Sequence, residues 1–69
     1  MDMRKLVGKN AARLRRAAGL TQEAIAERAG TNQQYISDLE CGKLNPTVVT
    51  LNELATAFGV KAMEFLRED

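Results

Sequence analysis

Apolar residues recur along this chain at helical spacing, and glycine-containing breaks cut the pattern into short segments. Over residues 3 to 18, Val7, Ala11, Leu14 and Ala18 line one stripe, with Lys5, Lys9, Arg13 and Arg16 on the opposite side. Gly19 ends this first helix. A second helix of eight residues starts at Gln22, behind Thr21, whose hydroxyl suits an N-cap. Ile25 and Ala29 share one face of it, and Gly30 follows where a helix end wants a residue able to take positive φ. Asn32 can cap a third helix through its side-chain oxygen, and Ile36, Leu39 and Glu40 share that helix's inner face. Gly42 closes it. Beyond a loop at 43–47, Val48 and Val49 are too apolar for a free segment and are expected to anchor the loop to the core. A fourth helix then runs from about Thr50, with Leu51, Leu54, Ala55 and Phe58 on one narrow stripe. Gly59 ends it. Residues 61 to 67 form a short fifth helix that begins at Lys61 without a good cap and sets Ala62, Phe65 and Leu66 on one side, Phe65 plugging the core.

Composition fits this all-α reading. Sixty-nine residues make one domain, with 45% hydrophobic residues and only Tyr35, Phe58 and Phe65 as aromatics. That suits a compact bundle of five short helices built on Leu, Ile, Val and Ala. No apolar run approaches the ~18 residues of a membrane span, and no signal-like stretch opens the chain, so a cytoplasmic location is expected. The single cysteine, Cys41, excludes an internal disulfide framework. The absence of histidine excludes a Cys/His zinc site. No cofactor is implied, and no nucleophile with a base at sensible spacing or glycine-rich phosphate loop supports an enzyme.

Net charge is +1, but its distribution is uneven. Residues 1–20 carry a balance of +5, whereas residues 21–50 and 51–69 each carry −2. The basic footprint therefore lies on the first helix, where Lys5, Lys9 and Arg16 read as a solvated face or as an electrostatic aid to an anionic partner. Arg15 differs from its basic neighbours because its angle sets it beside the apolar stripe. It needs a partner, and Glu40 on the inner side of the third helix is the obvious one.

Residues 22 to 42 are the segment that organises the rest. Two short helices meet there across about three residues, and Ala26 faces the start of the third helix, where a longer side chain would hold the two apart. Leu20-Thr21-Gln22, Ala26, Gly30, Ile36, Leu39-Glu40 and Gly42, continued by Asn45-Pro46 and Gly59-Val60, resemble the helix-turn-helix of the Cro/cI or Xre family of phage-type repressors. The resemblance covers residues 7 to 66. It implies a lambda-repressor-like DNA-binding domain, an ion pair joining Arg15 to Glu40 beneath the motif, and a transcriptional regulator working on double-stranded DNA. It also implies a surface near the C-terminal helix that pairs two subunits, for which Met63 and Leu66 are the candidates. A two-fold homodimer would set two reading helices about 34 Å apart on an inverted-repeat operator, blocking or helping RNA polymerase.

The candidate contacts follow from helix geometry. The bare N–H groups and positive dipole end behind Thr21 form an anion seat, so Gln22 could hold a DNA phosphate, as the family's glutamine at this place implies. On the third helix Gln34, Ser37, Asp38 and Cys41 point outward and Gln33 projects from the first turn. In this docking mode such residues meet base edges, and glutamine pairs with adenine N6 and N7. Gln33 is the first candidate base reader, followed by Gln34, Ser37 and Asp38. Asp38 could accept from cytosine N4, or it could only tune its neighbours. Asn32, Tyr35, Lys43 and Asn45 are candidates for the phosphate backbone. A protein-interaction module, antitoxin-like or contacting a sigma factor, is the competing class, supported by the acidic cluster Glu23, Glu27, Asp38 and Glu40.

Overall fold

The computed structural model describes residues 1–68. The described chain is all-helical: α1 (Met3–Ala17), α2 (Gln22–Ala29), α3 (Gln33–Glu40), α4 (Val48–Phe58) and a closing 3₁₀ helix (Ala62–Leu66). Each α-helix opens on a side chain that caps a bare N–H. Asp2 accepts from the Arg4 and Lys5 amides, Thr21 from Ala24, Asn32 from Tyr35 and Thr47 from Thr50. Such caps contribute about 1 kcal/mol each, a large share for helices as short as α2 and α3.

The core is one cluster drawn from every element: Val7, Ala11 and Leu14, then Ile25 and Ala26, Ile36 and Leu39, Leu51, Leu54, Ala55 and Phe58, and finally Phe65. α1 packs on α3 and on the 3₁₀ helix, while α2 packs on α3 and α4. Phe58 and Phe65 meet edge to face, with ring centroids 5.2 Å apart and planes at 81°, which ties α4 to the 3₁₀ helix. At the end of α2 the chain reverses through Gly30 at φ 71°, and the Thr31 amide returns to the Ala26 carbonyl at 2.9 Å. That left-handed step aims α3 across α2.

Several expectations from the pattern are corrected. α4 starts at Val48, about two residues earlier than the pattern placed it, because Thr47 supplies its cap. Val48 and Val49 therefore sit in its first turn facing solvent, 81% and 69% exposed, and do not anchor the loop. Leu44, whose side chain packs against the core, does that work. Ala18 lies beyond α1 and is exposed, because the chain turns away at Gly19 before another residue can join the stripe. The last element is a 3₁₀ helix over 62–66 and not a helix over 61–67. Its tighter winding buries Phe65 but leaves Leu66 42% exposed.

Two buried features of α1 escaped the pattern. Asn10, 2% exposed, donates through Nδ2 to the carbonyls of Phe65 at 2.8 Å and Arg67 at 2.9 Å. Its Oδ1 accepts from Arg13, whose guanidinium also reaches the Glu64 carbonyl and carboxylate. Arg13 is thus half-buried in a polar clasp and not on a solvated face. This clasp holds the 3₁₀ helix against α1. Gly8 is the second feature: a Cβ there would run into the backbone carbonyl of Leu39 and stand 2.8 Å from that of Glu40. α1 can cross the end of α3 this closely only without a side chain at Gly8.

Gly8→Ala weighs two opposed effects. Alanine gains about 1 kcal/mol of helix propensity, but the clash is with backbone, which cannot swing aside. Urea denaturation is expected to show a net loss of about 1 to 3 kcal/mol; a gain in stability would mean that α1 and α3 are not this close.

Candidate nucleic-acid interface

Two helix starts lie side by side on one surface: that of α2, with Thr21 and Gln22, and that of α3, with Asn32, Gln33 and Gln34. Gln33 and Gln34 are exposed, as are Thr21 and Asn32, whereas Gln22, Ser37 and Asp38 are half-buried. Tyr35 is also half-buried and packs against the core, lining a shallow cavity of about 230 Å³ with Ala29, Thr31, Thr50, Glu53 and Leu54. Lys43 and Asn45 are exposed in the loop after α3, and so is Cys41.

Arg15 and Glu40 are brought together beneath this surface. Arg15 Nε donates to Glu40 Oε2 at 2.6 Å and Nη2 to Oε1 at 3.0 Å, a two-pronged pair with side chains only 14% and 8% exposed. Arg15 Nη1 donates to the Leu20 carbonyl at 3.0 Å, which fixes the approach to α2. Burial pushes the Glu40 carboxyl up, but hydrogen bonds from Arg15 and Gln22 and the charges of Arg15 and Arg16 outweigh it. The carboxyl is held below the usual range. Its hydrogen bonds and negative charge raise the Arg15 guanidinium, which stays charged throughout.

The pair extends outward through amides. Gln22 Nε2 donates to Glu40 Oε1 at 3.2 Å, and Gln33 Nε2 approaches Gln22 Oε1 at 3.4 Å. A carboxylate only accepts hydrogen bonds, so Glu40 must hold Gln22 by its nitrogen, and the Gln22 oxygen is left to face Gln33. A relay therefore runs from the interior pair to the exposed Gln33 at the start of α3. Gln34 has a separate anchor, its Nε2 donating to Asp38 Oδ1 at 2.9 Å. The pattern gives the Arg15–Glu40 pair but none of the amide bonds beyond it, those of Gln22, Gln33 and Gln34. Gln22 reads from the sequence as a phosphate contact at a helix start, which gives no sign of a bond to the interior.

Chemically, the surface offers amide donors and acceptors on an exposed helix start and two helix N-termini that favour an anion. Met63 and Leu66, the candidates for pairing two copies, lie on the 3₁₀ helix and are 68% and 42% exposed. No helix among the described residues is long and apolar enough to cross a membrane. Among them there is also no group of three or more potential metal ligands.

Comparison with known proteins agrees with this geometry. Residues 12–65 match the HTH_3 helix-turn-helix family, and the chain belongs to it: a transcriptional regulator of the Cro/cI or Xre type, a DNA-binding class. It is 62% identical over 66 residues to y4dJ, an uncharacterized HTH-type transcriptional regulator of Sinorhizobium fredii, covering 96% of this chain and 86% of that one. It is also 32% identical over 63 residues to the immunity repressor of Bacillus phage phi105, covering 91% of this chain but only 44% of the repressor. Among solved structures, the restriction-modification controller C.AhdI of Aeromonas hydrophila superposes with a TM-score of 0.83 at 32% identity over 90% of each chain. A hypothetical transcription factor from Neisseria, NHTF, gives 0.88 at 29% identity, covering 96% of this chain and 76% of that one.

Glu40→Gln tests the relay through pH. Because the folded carboxyl titrates below its ordinary value, its contribution is complete above about pH 4.5 and disappears as pH falls through the lowered folded value. At pH 7 the variant is expected to be less stable by about 1 to 3 kcal/mol, since Arg15 keeps the Leu20 carbonyl and some water. That deficit should shrink at an acid pH below the lowered folded value, where the wild type itself loses the charge. A deficit independent of pH, read from urea titrations at both values, would show that the carboxylate is not what holds Arg15.

Proposed function

We propose that this protein is a sequence-specific repressor or operon controller that binds an inverted-repeat operator as a homodimer, with the start of α3 in the major groove. The observation that carries this reading is the exposed Gln33-Gln34 end of α3, braced from within by the Arg15–Glu40–Gln22 relay and flanked by the start of α2. Glutamine amides at the leading end of such a helix match adenine in the major groove. The relatives named immunity repressor and restriction-modification controller support the same kind of control over transcription.

In this docking Gln33 and Gln34 are the principal base readers; Ser37 lies one turn further along, and Asp38 beside it holds the Gln34 amide. Thr21, Gln22 and Asn32 lie at the two helix starts and meet phosphates with backbone N–H groups. Lys43 and Asn45 follow the phosphate backbone from the loop after α3, and Tyr35 reaches it from the flank. Gln22 has a double task, since its nitrogen is engaged by Glu40 and its main chain remains for the phosphate. The exposed Met63 and Leu66 supply the apolar centre of a two-fold contact. Two reading helices would then stand about 34 Å apart, one turn of B-DNA, and a bound dimer would occlude RNA polymerase.

Gln33→Ala is expected to cost about 1 to 3 kcal/mol on the cognate operator and little on random duplex. Equal losses in titrations on the two duplexes would remove Gln33 as a base reader. Lys43→Ala should weaken both duplexes alike and reduce the slope of log affinity against log salt by about 1 per protomer. An unchanged slope would take Lys43 out of the phosphate contacts.

A further inference from the structure

Asp38 follows Gln34 by four residues on α3, one turn nearer the helix's C-terminal end, and its Oδ1 accepts from Gln34 Nε2 at 2.9 Å. A carboxylate has no hydrogen to donate, so it can hold a glutamine amide only by the nitrogen. With the amide reversed, Gln34 Oε1 would face Asp38 Oδ1, two acceptors at hydrogen-bond distance. A glutamine is otherwise ambiguous in a groove, because turning its amide over exchanges donor for acceptor. Beside Asp38 it is not. What stays free on the exposed Gln34 is the carbonyl oxygen and one N–H.

Building on the reading of α3 as the groove helix, we infer that Asp38 is a positioning residue that fixes the polarity of Gln34 and so makes adenine the preferred base where Gln34 reads. Adenine presents an N6 amino donor beside the N7 acceptor, which matches a free oxygen and a free N–H. Guanine presents two acceptors, O6 and N7, and so calls for two donors where Gln34 has one left. Cytosine offers a donor alone, for one bond instead of two, and thymine offers an acceptor beside a methyl group. The charge of Asp38 has a second effect, opposite in sign. It repels phosphates and lowers affinity for any duplex. Asp38 thereby exchanges affinity for discrimination, which accounts for an acidic residue on a helix face meant for DNA.

The test is selection from random duplexes followed by sequencing, run on the full chain as wild type, Q34A, D38A and the double variant, with binding to one fixed non-cognate duplex measured alongside. Q34A should relax one base-pair position in each half-site. D38A should relax that same position, adenine's advantage falling about tenfold, while its non-cognate binding equals or exceeds that of the wild type. The double variant should lose no more than Q34A does. A D38A change at a different position would mean that Asp38 reads a base itself, and it would overturn the inference. So would an unchanged preference, or equal losses on cognate and non-cognate DNA. Absence of any enriched sequence for the wild type would remove the operator-reading role beneath it as well, a failure recognisable before any variant is compared.

Discussion

The structure depends on a charged pair at the junction of three elements. Arg15 comes from α1, Glu40 ends α3, and the Leu20 carbonyl held by the same guanidinium leads into α2. Taking two charges out of water is costly, and a buried pair of this kind is not by itself a source of stability. What it adds is direction. A two-pronged guanidinium–carboxylate contact tolerates little rotation, and α3 has only Ile36 and Leu39 fully inside to locate it. Apolar contact would let so short a helix slide or roll, whereas the pair fixes which side of α3 faces out. Gly8 makes the junction possible by letting α1 approach the Leu39 and Glu40 carbonyls, so the charged pair and the bare glycine belong to one design.

Function then follows from how the pair is passed to the surface. Each step outward is a hydrogen bond whose sense is forced by the one before: Glu40 takes the nitrogen of Gln22, and Gln22 turns its oxygen toward Gln33. Asp38 does the same for Gln34 over a single step. Side chains exposed at the start of α3 would otherwise lose considerable rotamer freedom on meeting DNA, and anchoring one atom of each amide beforehand reduces that loss. Under the proposed docking, the uneven charge of the chain leaves attraction to basic residues such as those of α1 and discrimination to neutral amides on α3.

Much of this was legible in the residues. The four α-helices, the Gly30 turn and the burial of Ala26 and Phe65 all follow from spacing and capping chemistry. What was hidden has physical causes. Val48 and Val49 look like core residues by composition, but Thr47 caps the helix ahead of them and rotates both into solvent. Asn10 falls between Val7 and Leu14 on the apolar stripe. A polar residue in such a place signals a buried partner, here the carbonyls at the end of the chain. Gly8, in the middle of α1, is a second sign of the same type: a helix that tolerates the flexibility of glycine there does so for close approach. The 3₁₀ winding of 62–66 could not be read, because five residues carry too little periodicity to separate it from an α-turn.

The claim on which the rest stands is that Arg15 is locked to Glu40 inside the folded protein. Proton exchange at the Arg15 Nε–H, followed by nitrogen-edited NMR, measures this directly. The account predicts a resonance that exchanges as slowly as the backbone amides of the core and loses its protection when Glu40 is replaced by glutamine. Exchange at Arg15 as fast as at the exposed Arg16 and Arg28 would contradict it.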